Sequence, residues 1–449
     1  MTGRRSAATP RRKQPTGELT RLQHHLYAAG HFGISFMGYV VVQWVLKFYF
    51  PDNPRETNLV PPLLAPVILL IGRVSDGLND PLVGHLTDSI RTRWGRRKPF
   101  MVGGLPFVCL FFLLVWYPPT AYQSITNFWY AALVVVFFFA FFTTYVGPYT
   151  ALLAEIASSS PERRKLSALQ GIYNVSGLIA AGFITGAALQ GGMGFRQMAS
   201  LTTGISLLCF LLPLFGASDD PARLAEQRPP RFSHSVAMTL RNRPFRLYVI
   251  AQLLFLLGLL VIVAAMPYMA ETLLNQPQGE AGTLTGIALL AGAVCVPSIL
   301  KMANRRGSKA AYLFSLRWFT VSAALLSLMP LFGRSPTAGV WLARGLVILP
   351  GVAVGGLFAL PYAILAGVTD HDRRLTGLDR QGTLFCVQGM VLKIAYAGAP
   401  GLVGGLLAVF PDHKLVVLTL IGPLAALLAV AAHAMFKSFP EEEVQSAVP

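Results

Sequence analysis

GRVSDGLNDPLVGHLTDSIRTRWGRRKP, residues 72–99, decides how the chain is read. Its first half lies in an apolar segment yet carries Arg73, Asp76, Asn79 and Asp80. Its second half passes through Asp88 into five basic residues, Arg91, Arg93, Arg96, Arg97 and Lys98. A charge inside a lipid-spanning helix costs about 2.5–3.5 kcal/mol on insertion scales, so such residues usually mark an ion or solute path.

The rest of the chain makes that first half a membrane span. Of 449 residues, 54% are hydrophobic and 13% charged, about half the charge of a soluble domain. The 42 glycines and 31 prolines suit close helix packing and local breaks within a bilayer. The net charge of +17 sits largely in the gaps between apolar runs on alternate sides. It reads as orientation rather than nucleic-acid binding. Cys109, Cys209, Cys295 and Cys386 all lie in apolar segments without metal-like spacing, as small packing residues do.

Twelve spans of about 20 residues or more follow: 27–50, 62–88, 100–118, 127–157, 166–190, 198–216, 246–270, 282–303, 310–332, 337–366, 381–409 and 415–436. The first has no small-residue cleavage site and is read as a retained span, not a signal peptide. Basic residues collect in the even-numbered gaps, Arg91–Lys98, Arg163–Lys165, Arg223–Arg246, Lys301–Lys309 and Arg373–Arg380. Both termini are therefore predicted to be cytoplasmic. The predicted organisation is a basic tail (1–26), a six-helix bundle (27–216), a cytoplasmic linker (217–245), a second six-helix bundle (246–436) and a tail (437–449). PYTALLA (148–154) is echoed by PYAILAG (361–367), and ERRKLSALQG (162–171) by DRRLTGLDRQG (372–382). Internal symmetry of this kind places a transporter's site near the midplane, between its halves.

Asp76 and Asp80 are four residues apart and share a helix face with Arg73. Asn79 adds an amide oxygen, and Pro81 is expected to free the carbonyl of Gly77 and bend the axis. Two carboxylates with neutral oxygens suit Na⁺ or another small cation; the same carboxylates equally suit a proton. A purely structural Arg–Asp clamp has no need of the second aspartate. Lys393, mid-span in QGMVLKIAYAG, is too deep to snorkel easily. The span-two aspartates are its best partners, with helix carbonyls as the alternative. With Arg73 it balances them to zero formal charge. Asp88, Arg96 and Arg97 belong to a cytoplasmic cluster that sets topology or latches the two halves. Ser35, Gln43, Tyr149, Asn174, Phe358 and Gln388 are the candidates to line a solute cavity, although such residues more often bond neighbouring helices. GGMG at 191–194 is a loop turn. Without a nucleophile–base set, metalloprotease motif or phosphate loop, an enzyme is not expected.

RVSDGLNDPLVGHLTD with RTRWGRRKP, PYTALLAE with ERRKLSA, and QGMVLKIA resemble the major facilitator superfamily (MFS). Within it they resemble the glycoside–pentoside–hexuronide:cation symporters, the melibiose permease-like family. The resemblance implies an all-α membrane protein with twelve transmembrane helices in two pseudo-symmetric six-helix bundles. It implies cation-coupled alternating access. Asp76, Asn79 and Asp80 match the family's cation-site positions, Thr143 falls where the family places a hydroxyl ligand, and Lys393 matches a nearby lysine. The sugar positions diverge. Melibiose-type members have acidic residues where this chain has Ser35 and Val146, and an arginine where it has Gly171. The ion machinery is kept without the acidic sugar clamp.

The expected function is symport of a sugar, glycoside or similar small solute with Na⁺ or H⁺, Li⁺ being a further candidate. A lysolipid or other amphiphile symporter is an alternative, because eukaryotic lysolipid symporters resemble this family too. A non-transporting sensor or scaffold is a third reading, against which the two costly carboxylates argue. No cofactor is expected. The partners are the solute, the cation and the bilayer, with no nucleic acid and a monomer as the functional unit. The expected location is the plasma (inner) membrane.

Overall fold

A long apolar run satisfies its backbone in lipid by forming an α-helix, and this chain does so repeatedly. The computed structural model describes residues 19–51, 53, 56–89, 92, 95, 97–157, 159–216, 239, 241–333, 336–377 and 381–445. Among the described residues the α-helices of five residues or more are, in chain order, α1 (Arg21–Tyr49), α2 (Ala65–Ser89), α3 (Lys98–Leu114), α4 (Ile125–Ile156), α5 (Ser160–Gln190), α6 (Phe195–Gly216), α7 (Arg243–Thr272), α8 (Glu280–Arg306), α9 (Ser308–Leu325), α10 (Pro336–Ala359), α11 (Pro361–Thr376), α12 (Gln381–Val409), α13 (Lys414–Lys437) and α14 (Glu441–Gln445). Helix starts carry side-chain caps. Thr20 and Gln23 form a capping box on α1, while Ser124, Ser159 and Asn242 cap α4, α5 and α7, satisfying backbone N–H groups that have no intrahelical partner.

Among the described residues, eleven helical segments are long and apolar enough to cross a membrane. The third predicted span is shorter than expected: α3 has 17 residues, and the chain turns at the buried Val115 and Trp116. The tenth is longer than expected. It runs to Thr376 in two pieces, α10 and α11, which join at Leu360. Pro361 opens the second piece, where its missing N–H costs least.

The two halves repeat one packing plan. In the first, α1 packs on α5 and α6, α3 on α4 and α6, and α2 on α4. In the second, α7 packs on α12 and α13, α9 on α10 and α13, and α8 on α10. Each N-terminal pairing becomes a C-terminal one on moving six spans along. The result is two pseudo-symmetric six-helix bundles.

The symmetry reaches the side chains. Tyr27 Oη of α1 donates to the carbonyl of Tyr149 at 2.5 Å, and Tyr149 Oη donates back to the carbonyl of Tyr27 at 2.8 Å. Gln170 of α5 donates to Tyr149 Oη at 3.3 Å. In the other half, Tyr248 Oη of α7 donates to the carbonyl of Pro361 at 3.0 Å. Gln388 of α12 donates to Tyr248 Oη at 2.7 Å and to Gln252 Oε1 at 2.6 Å. The echoed Pro-Tyr sequences thus sit at equivalent clasps.

The bundles are joined chiefly by three helix pairs, α1 with α7, α2 with α12, and α5 with α8, with a smaller contact of α1 with α12. At α5–α8 the backbones nearly touch. A Cβ on Gly186 would lie 2.7 Å from the Gly279 carbonyl oxygen, and one on Gly282 would lie 2.6 Å from Gly186 Cα. Only glycine permits that approach. At the same end, Gln190 Nε2 donates to Glu280 Oε2 at 3.0 Å and to Thr283 Oγ1 at 3.1 Å. Tyr268 Oη donates to the Phe50 carbonyl at 2.6 Å. Lys47, 1% exposed, donates to Glu271 Oε2 at 2.5 Å and to the Pro51 carbonyl at 2.6 Å. One end of the bundle interface is sealed.

Candidate functional site

The amphipathic pattern of α2 decides which way its charges point. Leu70, Val74, Leu78, Leu82 and Leu86 recur every four residues and are exposed on the outer surface, as a lipid-facing stripe is. Gly72, Asp76, Val83 and Thr87 are buried on the other side, where α2 meets α4 and α12. The charges are thus turned inward by the residues between them.

Arg73, Asp76, Asp80, Thr143 and Lys393 come together there. Lys393 Nζ of α12 lies 2.7 Å from Asp80 Oδ2 and 3.1 Å from Asp76 Oδ1, and it donates to the Asp76 backbone carbonyl at 3.1 Å. Thr143 Oγ1 of α4 donates to Asp76 Oδ1 at 2.8 Å. Arg73 Nη1 lies 3.4 Å from Asp76 Oδ2. Its guanidinium is held between the rings of Phe139 (4.3 Å) and Tyr396 (4.8 Å), a cation–π setting that restricts the side chain. The four charges sum to zero, which is how buried ions avoid an uncompensated desolvation cost. The carbonyl turned toward the lysine is that of Asp76, one residue before the expected Gly77. α2 continues as helix through Pro81 to Ser89.

Other candidates are placed elsewhere. Asn79 Nδ2 donates to Ser75 Oγ at 3.2 Å, along its own helix. Tyr149 and Gln388 are engaged in the two clasps, as clasp residues between helices. Ser35 and Gln43 are buried on α1; Asn174 of α5 and Phe358 of α10 are half-buried. Arg97 Nη1 donates to Thr87 Oγ1 at 2.9 Å. Arg96 and the side chain of Asp88, the other latch candidates, lie outside the described residues.

The sequence reading missed Lys47, Glu271, Tyr27 and Tyr248. A lysine near a helix end ordinarily snorkels to the interface, so Lys47 raises no alarm there, and Glu271 is 224 positions away. The tyrosines carried one signal: each lies on the first helix of its half, ahead of the echoed Pro-Tyr sequence.

Chemically, the cluster offers two carboxylates, a hydroxyl and a backbone carbonyl. These hard oxygens fit a small monovalent cation, and the lysine ammonium occupies the position between the carboxylates. Among the described residues there is no group of three or more His, Cys, Asp or Glu side chains able to hold a metal ion.

Residues 26–422 match a family model described as MFS/sugar transport protein. An uncharacterized symporter of Synechocystis is 34% identical over 158 residues, covering 34% of this chain and only 28% of that protein's length. Escherichia coli YagG, a proposed glycoside/cation symporter, is 25% identical over 354 residues, 76% of this chain and 74% of its own. The sodium-dependent lysophosphatidylcholine symporter 1 of Xenopus tropicalis is 22% identical over 387 residues, 76% of this chain and 70% of its own. The crystal structure of the nucleoside transporter NupG superposes with a TM-score of 0.67 at 14% identity, covering 93% of this chain and all of that one; at that identity the likeness speaks to the fold.

Proposed function

Because this chain belongs to the MFS/sugar transport protein family, a family of multi-pass membrane transporters, we propose that it is a cation-coupled symporter. It moves a small solute, sugar- or glycoside-like, together with Na⁺ or H⁺ by alternating access. The observation that carries this reading is the neutral cluster of Arg73, Asp76, Asp80 and Lys393 held between α2 and α12. These helices belong to different bundles.

The coupling follows from charge balance. A cation entering between Asp76 and Asp80 competes with the Lys393 ammonium for the same oxygens. Once displaced, the lysine no longer ties α12 to α2. Ion occupancy therefore changes the energy of one bundle arrangement relative to the other, as a ligand must in order to shift a conformational equilibrium. Thr143 orients Asp76 from α4, and Arg73 holds its second oxygen. We divide the chain at the linker 217–245, with bundles 27–216 and 246–436. The termini, including tails 1–26 and 437–449, lie on the cytoplasmic side of the plasma membrane. On that orientation the sealed end faces outward, the cluster is midway across, and a monomer is the working unit.

The test is uptake into proteoliposomes under an imposed Na⁺ or proton gradient, with sugars, polyols and glycosides as solutes. Asp76→Asn and Asp80→Asn are expected to abolish gradient-driven accumulation. If either variant, folded and inserted, still concentrates solute, the coupling assignment is wrong.

A second reading, an amphiphile symporter, is favoured by the match to the Xenopus lysophosphatidylcholine symporter. Competition by lysophosphatidylcholine against solute uptake separates the two, and a lipid that never competes removes the second.

A further inference from the structure

The outer face of the first bundle carries a groove that ion coupling does not use. α1 meets both of its neighbours closely at one level. A Cβ on Gly177 would lie 2.5 Å from the Phe32 carbonyl oxygen, and one on Gly33 would lie 2.9 Å from Cys209 Cβ. From that level toward the start of α1 a groove of about 270 Å³ opens, between Leu26, Ala29 and Phe32 of α1, Tyr173 of α5, and Cys209 and Leu212 of α6. The surface around it is of the lipid-facing kind, with Leu22, Ile172, Leu208 and Phe215 all exposed. His25 completes the wall at the end nearest the helix start, where its Nδ1 lies 3.1 Å from Tyr173 Oη. The groove is thus apolar along its length and polar at one end.

That end is also basic. Arg21 precedes His25 by one turn on α1, and Lys165 precedes Tyr173 by two turns on α5, and each spacing keeps to one helix face. Both are exposed, as are Arg163 and Arg164 beside Lys165. Segments 21–28 and 160–167 hold these four cations and one acid, Glu162. Glu162 is buried and turned inward: it accepts from the Leu19 backbone N–H at 2.8 Å and lies 3.5 Å from His24 Nε2. The one carboxylate of these segments is therefore withdrawn from the surface that the cations occupy. Where Tyr173 donates to Nδ1, the neutral His25 ring carries its proton on Nε2, a donor for a phosphate oxygen.

We propose that this groove binds an anionic diacyl phospholipid. One acyl chain lies against Leu26, Ala29 and Leu212, and the phosphate is held among Arg21, His25, Tyr173 and Lys165. Apolar walls forfeit dispersion contacts when nothing lies against them, and in a bilayer the molecule at hand to supply those contacts is a lipid. Basic pockets between membrane helices select negatively charged headgroups. Here the apolar part lies at the depth of acyl chains and the cations lie where headgroups begin. On the orientation proposed above, this is the cytoplasmic leaflet. A lipid so placed touches α1, α5 and α6 together and cements the start of the first bundle. Neither the solute carried nor the ion cluster at Asp76 and Asp80 enters into it.

The full chain, purified in dodecyl maltoside and stripped of lipid, is titrated with dioleoyl phosphatidylglycerol or dioleoyl phosphatidylcholine while its melting temperature is followed. Phosphatidylglycerol is expected to reach half-maximal stabilisation at a concentration about tenfold or more below that of phosphatidylcholine. Arg21→Gln and Lys165→Gln change exposed side chains and leave the packing alone. Each is expected to raise the phosphatidylglycerol midpoint about fivefold, and the two together about twentyfold, with the phosphatidylcholine midpoint unchanged. A phosphatidylglycerol carrying a diazirine in one acyl chain is expected, on photolysis, to label the wild type within 26–32 and 209–212, a measurement that needs no variant. Equal midpoints for the two lipids in the wild type overturn the proposal. So does a preference for phosphatidylglycerol that survives unchanged in the double variant, which puts the headgroup elsewhere. Label confined to other helices overturns the groove as the place of the acyl chain. Stabilisation by glycerol 3-phosphate at the same midpoint as the lipid overturns the lipid itself, because the site then takes a free phosphate.

Discussion

In the ion site proposed above Lys393 is the pivotal residue, because its ammonium lies 2.7 Å from Asp80 and 3.1 Å from Asp76. A unit charge at about 4 Å is worth roughly 4 kcal/mol at an effective dielectric near 20, and the nearby Arg73 and partial exposure reduce what is realised. Lys393→Ala removes the competitor and leaves both carboxylates in place. It is expected to lower the Na⁺ or Li⁺ concentration giving half-maximal thermal stabilisation by about tenfold or more, while concentrative uptake is lost because the ion is no longer expelled. Titration of melting temperature against each ion, beside an uptake assay, checks both halves. This part of the site was legible in the sequence, since a charge inside an apolar run stands out whatever surrounds it. Asn79 was legible only as a type of side chain. Its bond to Ser75 depends on a rotamer choice that spacing does not determine. Lys47 and Glu271 were not legible, because their pairing depends on how two bundles meet.

At the scale of elements, α5 and α8 carry the closest approach between bundles. Gly182 and Gly186 face Gly282 and Gly286; a carbon added at Gly182, Gly186 or Gly282 falls onto opposing backbone, and one added at Gly286 onto the Phe183 ring. Overpacking a tight contact costs about 1–3 kcal/mol, which is roughly a fivefold to hundredfold change in a two-state balance. Gly282→Val is therefore expected to disfavour the sealed arrangement, giving slowed transport with cation-induced stabilisation retained. Maleimide labelling of Thr283→Cys, faster with the valine than without it, checks the direction. Helix identity and order were readable from apolar run length. The short α3 and the broken α10–α11 were less so, because an apolar run shows neither where a turn begins nor how far a basic, exposed stretch such as Arg373 and Arg374 continues as helix beyond the lipid.

At the scale of the whole molecule, the described hydrogen bonds between bundles run from mid-helix, at Lys393, to one end, at Lys47, Gln190 and Tyr268. A transporter must break those bonds in each cycle. Cysteines replacing Gln190 and Thr283, whose Nε2 and Oγ1 are 3.1 Å apart across the interface, are expected to be bridged by a short bifunctional methanethiosulfonate. The linked protein is expected to lose transport and regain it on reduction; unimpeded transport by the cross-linked pair contradicts a moving seam. The two-bundle plan was foreshadowed by the echo of PYTALLA in PYAILAG, and the paired clasps of Tyr27 and Tyr248 give that echo a physical reason.

The tether on Lys393 has a further consequence for how the protein meets its surroundings. A charge attached to the chain is present at an effective concentration fixed by its attachment, on the order of millimolar or higher, whatever the bath contains. On the proposed coupling, half-saturation by a free ion is then a contest between the bath and the stiffness of α12. Substitutions in the packing of α12 that touch no oxygen of the cluster are then expected to retune the salinity at which the carrier works. The setting can therefore drift between environments of different salt content while Asp76 and Asp80 stay unchanged.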